Sequence, residues 1–167
     1  MDSAAKAVVK NAGSGGKFFD NAVELVDDGA DLISQLPRSP YCGQTCVVQE
    51  ALRRGIKLPA NFDATKFARP NGSYKKDLLK LFDELVIVKS GLVKVKDGAH
   101  LAELVSGGRR VIALVTGKNG GHWITVEKII SKNGSKLAQY FDPDNGRRWL
   151  VPLEDLLEAF GNSGIAL

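Results

Sequence analysis

The stretch "SPYCGQTCVVQEALRRGI" (Ser39–Ile56) contains both cysteines of the chain, one of them set between a tyrosine and a glycine. Pro37 and Pro40, three residues apart, keep helix out of the segment before it. Val47, Val48, Ala51 and Leu52 then recur on one side, Arg53 and Arg54 fall in the last turn, and Gly55 follows as a left-handed cap. A helix is expected to begin between Cys42 and Thr45, with Cys42 at its mouth. A thiol attacks as the thiolate, and with an ordinary pKa of about 8.5 it needs help at neutral pH. The unpaired N–H groups and dipole of a helix N-terminus supply some. Gly43 would let the backbone turn tightly there and admit a substrate carbonyl, with backbone N–H groups aimed at an oxyanion. Cys46, one turn inside beside Val47 and Val48, reads as a packing residue.

Upstream, residues 1–16 end in "GSGG" and read as a flexible leader. In "KFFDNAVELVDDGADLISQL" (Lys17–Leu36), Phe18, Phe19, Val23, Val26, Ala30 and Ile33 stand at helical intervals. One helix, weakened at Gly29, is expected there. Downstream, "LPANFDATKFARPNGS" reads as loop or short turns. An amphipathic helix follows in "YKKDLLKLFDELV" behind a Ser73 cap, and a shorter one in "DGAHLAELVSGG", capped by Asp97 and stopped by Gly107 and Gly108.

The second half changes period. "RRVIALVT", "HWITVEKI" and "KLAQYFD" are rich in β-branched and aromatic residues and are separated by "GKNGG" and "SKNGS", an antiparallel hairpin series. "RRWLV" adds a strand after "DPDNG", and "PLEDLLEAF" opens a helix at Pro152. Helices first and sheet second predict an α+β domain, and no repeat interrupts it. The length of 167 residues, with 44% apolar and 25% charged residues, fits one domain over 17–167 with one buried core.

A thiolate also needs a base, and the chain has two histidines. His100 lies inside a helical pattern and is explained by it. His122 follows two glycines as the first residue of a strand, with Trp123 beside it to exclude water, where a general base belongs. A third group should accept the other ring N–H and fix the tautomer. Asp142 ends the strand that pairs back toward His122, and Asp144 is its rival; the same "DPDNG" also reads as an ordinary turn.

"YCGQTCVVQEAL", "GGHWITVEKI", and "YFDPDNG" followed by "WLVPLEDLLEAF" together resemble the papain-like cysteine hydrolases over roughly residues 35–160. The resemblance is to the bacteriocin-leader processing peptidases of export transporters and to papain-fold bacterial toxin domains. It implies Cys42 as nucleophile, His122 as base and Asp142 as orienting carboxylate. It also implies a glutamine shortly before the cysteine as oxyanion donor. Gln35, seven residues before Cys42 with two prolines between, is the candidate, and Gln44 the alternative. In papain itself the later cysteine of such a stretch is catalytic, which keeps Cys46 in view.

The function so implied is amide hydrolysis through a thioester, as a peptidase or glutamine deamidase. The setting implied is a bacterial toxin or effector domain, delivered by contact as part of a larger protein, and acting in the cytoplasm of a target cell. A protein or peptide substrate, a cognate immunity protein, a monomeric state and no cofactor go with that reading. No apolar run approaches the about 20 residues of a membrane span, so no membrane anchor is expected. Two cysteines cannot build a disulfide framework, and a redox pair or metal site lacks the further ligands it needs.

The net charge of +4 permits an anionic partner. Lys75, Lys76, Lys80, Arg109, Arg110, Arg147 and Arg148 could line a phosphate-binding face, which makes an RNA-cutting toxin the rival reading. An inactive papain-like binding module is the third, and two core thiols with a satisfied strand histidine is the plainest.

Overall fold

The computed structural model describes residues 8–10, 17–25, 32–35, 39–59, 62–87, 91–117 and 120–167. Helix α1 (Cys42–Arg53) is followed by a 3-10 turn at Ala64–Phe67 and by α2 (Lys75–Glu84). Before α1 lie three short strands, β1 (Val8–Lys10), β2 (Val23–Leu25) and β3 (Ile33–Gln35). After α2 come β4 (Gly91–Lys94), α3 (Gly98–Leu104), β5 (Val111–Gly117), β6 (Gly120–Lys132), β7 (Ser135–Asp142), β8 (Arg147–Pro152), α4 (Leu153–Ala159) and β9 (Phe160–Ala166). Strands β2-β8-β7-β6-β5-β9-β4 form a seven-stranded sheet in that order, and its pairings are antiparallel. The fold class is the α+β one expected.

Period-2 alternation divides the sheet between two cores. Ile112, Trp123, Phe141 and Ile165 pack under α1 and α2 with Val47, Val48, Leu78, Leu81 and Phe82. Val111, Ala113, Ile124, Val126 and Tyr140 face the other way, against Leu101 of α3 and Leu156 of α4. The helices end as their sequences indicate. Gly55 follows α1 at φ +70°, where any side chain is strained. The Asp97 carboxylate accepts the His100 N–H at the start of α3. At the start of α2 Tyr74 is the cap, not Ser73, and its N–H is bound by Asp77 Oδ2 at 2.9 Å.

The helix expected over 17–36 does not form in its described parts. Lys17–Ala22 is a turn segment, β2 pairs antiparallel with β8, and β3 pairs with β1. Val26, Gly29 and Ala30 lie outside the described residues. The apolar spacing that suggested one helix serves two separate structures: Phe19 enters the α3/α4 core, and Ile33 enters the α1/α2 core. β1 falls within the segment read as a leader, whose other residues lie outside the described ones.

Candidate active site

α1 meets the sheet at the end where β6 begins and β7 finishes. Pairing of Thr125 with Phe141 brings Asp142 back toward the first residues of β6. His122 Nε2 and Asp142 Oδ1 are 2.7 Å apart, with the His122 side chain 14% exposed and that of Asp142 1%. Cys42, at the first position of α1, lies close enough to the same ring to bear on its charge. With Nε2 on Asp142, the ring nitrogen left for the sulfur is Nδ1.

Burial works against a charged imidazole, but the Asp142 charge, its hydrogen bond and the Cys42 thiol outweigh it. They hold His122 protonated up to about 10. Cys42, His122 and Asp142, named from the sequence, are thus brought together. The Asp144 N–H donates to Asp142 Oδ1 at 2.9 Å, and Gly146 N–H to the Asp142 carbonyl. Asp142 is therefore both a turn residue and the imidazole's partner. Asp144 lies beside the pair, and its carboxyl is pushed above the usual range by burial and by the Asp142 charge.

Cys46 lies elsewhere. It is wholly buried, its thiol donates to the Trp123 carbonyl at 3.7 Å, and burial holds its pKa well above that of an ordinary thiol. It packs as expected. Gln35 is tied into the site's wall: its N–H donates to the Pro143 carbonyl at 2.7 Å and its side-chain amide to the Ser39 carbonyl at 2.8 Å. Gln44 is fully buried and its amide is committed to Ser73 Oγ. His100 accepts the Lys96 N–H on Nδ1, a local role outside the site.

Two expectations are corrected. Gly43 is not a turn: it is helical, and a Cβ there would stand 2.7 Å from Leu78 Cδ2 and 3.1 Å from Trp123 Cδ1, so glycine lets α1 lie close on α2 and the sheet. Trp123 does not shield His122, because neighbours in a strand point to opposite faces. Its indole enters the α1/α2 core and donates to the Ser73 carbonyl at 2.9 Å. The ring that covers His122 is Phe18, stacked at 5.3 Å between centroids and 23° between planes. Sequence reading missed that role; the one available signal was the adjacent pair Phe18-Phe19 ahead of a polar "DN" turn.

A cavity of about 1170 Å³ opens beside His122 and Asp142. It runs between the Lys17–Asn21 segment, the adjoining ends of β5 and β6 and the end of α4, with Ser39 on its wall. Three of the basic residues named from the sequence lie against carboxylates. Arg110 is clamped to Glu50 at 2.6 Å, Arg148 to Glu127 at 2.9 Å, and Arg147 lies 3.5 Å from Glu24. No helix among the described residues is long and apolar enough to cross a membrane.

No family model matches the chain. Nor does any curated protein. Among solved structures the chain is similar to the peptidase domain of Streptococcus ComA, a bi-functional ABC transporter involved in a quorum sensing pathway. The TM-score is 0.58 at 15% identity, over 80% of this chain and 94% of that one. At that identity the likeness is one of fold, and the chain has the α+β, papain-like architecture of such a peptidase domain.

Proposed function

We propose that the chain is a cysteine-dependent amide hydrolase in which Cys42 is the nucleophile, His122 the general acid–base and Asp142 the group that orients it. The observation that carries the reading is one imidazole bonded to Asp142 Oδ1 at 2.7 Å, with the thiol at the head of α1 close enough to act on its charge. An imidazolium beside the sulfur and the first N–H groups of α1 stabilise negative charge as the sulfur attacks.

The sulfur attacks the amide carbon, and the carbonyl electrons move to oxygen. On collapse the imidazolium gives its proton to the leaving amine, and a thioester with Cys42 remains. Water attacks the thioester as His122 takes its proton, and the acid departs with the thiol restored. For the oxyanion, the backbone N–H groups at the head of α1 are the donors proposed, with Gln35 the side-chain candidate beside them. Peptide cleavage and glutamine deamidation share these steps and differ in which amide enters the cleft. A delivered bacterial toxin acting in a target cell, restrained by an immunity protein over the cleft, is the setting this chemistry fits.

Alkylation with iodoacetamide tests the assignment. Cys42 is expected to react faster in the native chain than in His122→Ala, and Cys46 to stay unlabelled in the folded protein. Cys42→Ala is expected to abolish hydrolysis or toxicity, while Cys46→Ala keeps both. A Cys42 that reacts no sooner than Cys46, or a Cys42→Ala protein that remains active, overturns the proposal.

A further inference from the structure

Phe18 reaches the site from a segment that precedes both halves of the fold. Its ring lies 5.3 Å from the His122 ring at an interplanar angle of 23°, an offset stack. Its other neighbours fix it there. Phe19 meets it edge-on at 5.0 Å and is itself edge-on to buried Tyr140 at 5.6 Å, so the pair is rooted in the α3/α4 core. On the β5 side the ring occupies the space a side chain at Gly117 would need, since a Cβ there would stand 2.7 Å from Phe18 Cζ. The segment is pinned beyond the ring as well. Ala22 N–H closes a turn on the Phe19 carbonyl, Asn21 donates to Asp155 of α4 at 3.1 Å, and β2 pairs with β8.

We infer that Phe18 is a positioning residue for His122: its ring covers one face of the imidazole, keeps water off that face, and holds the ring plane in line with the bond to Asp142. The role assigned to Phe18 rests on the proposed role of His122. The groups facing the imidazole are Cys42 from α1, Asp142 from β7 and Asp144 from the turn after it. Lys17 and Asp20 of the N-terminal segment, with Asp155 and Glu158 of α4, line the cavity beside it. The ring's net preference is for the charged form, because Asp142 and Cys42 outweigh burial. Admitting water weakens both sides and moves the imidazole back toward its free value of about 6.5. Losing the aromatic face, which attracts a cation, acts in the same direction.

The test is a proton NMR titration of the histidine rings in the intact chain, with His100 as an internal reference, on Phe18→Ala, Phe18→Leu and Phe18→Tyr. Leucine keeps the bulk without the aromatic face, and tyrosine keeps the face. The expected result is a downward shift of the His122 midpoint by about half to one pH unit in the alanine and leucine variants, with tyrosine close to wild type. His100 should not move. A wild-type His122 midpoint in Phe18→Leu overturns the inference, even if melting shows a loss of stability, because packing alone would lower stability without moving the titration. If alanine prevents folding, leucine and tyrosine decide the matter. The readout is independent of the thiol: failure of Cys42 to alkylate would overturn the proposed chemistry and leave the His122–Phe18 coupling still measured.

Discussion

At the residue scale the sequence and the structure meet most closely at Asp142. "DPDNG" is a turn whose first carboxylate caps its own backbone, and the same oxygen holds His122 at 2.7 Å. The sign of the pH dependence follows. His122 is raised from 6.5 to about 10 by Asp142 and Cys42 against the cost of burial, so its contribution to stability is fully present below about 6.5 and is lost as pH rises through about 10. Asp142→Asn removes the charge and keeps the shape. Its expected cost is about 3–5 kcal/mol at neutral pH, as for breaking one partner of a buried pair. Denaturant melts at pH 6 and pH 10.5 check it, and the gap between variant and wild type should narrow at the higher pH. Cys42, His122 and Asp142 were legible because chemistry restricts each to a few residue types at element ends. Phe18 was not: a phenylalanine says nothing of which ring it will cover, and Trp123, the nearer aromatic in sequence, is turned away by strand alternation.

At the element scale, α1 shows how a site residue and a packing residue come to be adjacent. Cys42 must reach the end of the sheet, and it does so because Gly43 lets the helix settle on Leu78 and Trp123. Gly43→Ala is expected to destabilise by about 1–2 kcal/mol, since overpacking a buried contact outweighs the gain in helix propensity. A urea midpoint measures this, and slower alkylation of Cys42 should accompany it as the helix is levered outward. The strongly periodic elements, α1, α2, α3 and the hairpins of β5 to β8, could be read from sequence. β9 could not, because Gly161 and Gly164 lower its strand propensity. Gly164 is required by a backbone approach: a Cβ there would stand 2.8 Å from the Ile112 carbonyl oxygen. The 17–36 stretch misled because its helical spacing arose from residues bound for different cores.

At the scale of the whole molecule, charge bears on the two readings that sequence left open. The chain carries +4, which permits an anionic partner. Folding, however, commits Arg110 to Glu50, Arg53 and Arg148 to Glu127, and sets Arg147 near Glu24. The cavity beside His122 has the opposite character: its lining includes Asp20, Asp142, Asp144, Asp155 and Glu158, against Lys17 and His122. A polyanion entering there meets carboxylates, whereas a cationic peptide segment is drawn in. Peptide amides flanked by lysine or arginine on the cavity side should be preferred over acidic ones, with each well-placed charge lowering KM about fivefold, the equivalent of about 1 kcal/mol. Profiling a peptide library at low and at high salt checks it. The preference should fade as ionic strength rises, because the cavity is open and its exposed charges are screened. Asp20→Asn combined with Glu158→Gln should weaken the preference without altering Cys42 alkylation, since neither side chain touches the thiol or the imidazole. Preference for acidic flanks, or tight salt-sensitive binding of RNA by the same protein, would instead place the functional surface away from this cleft.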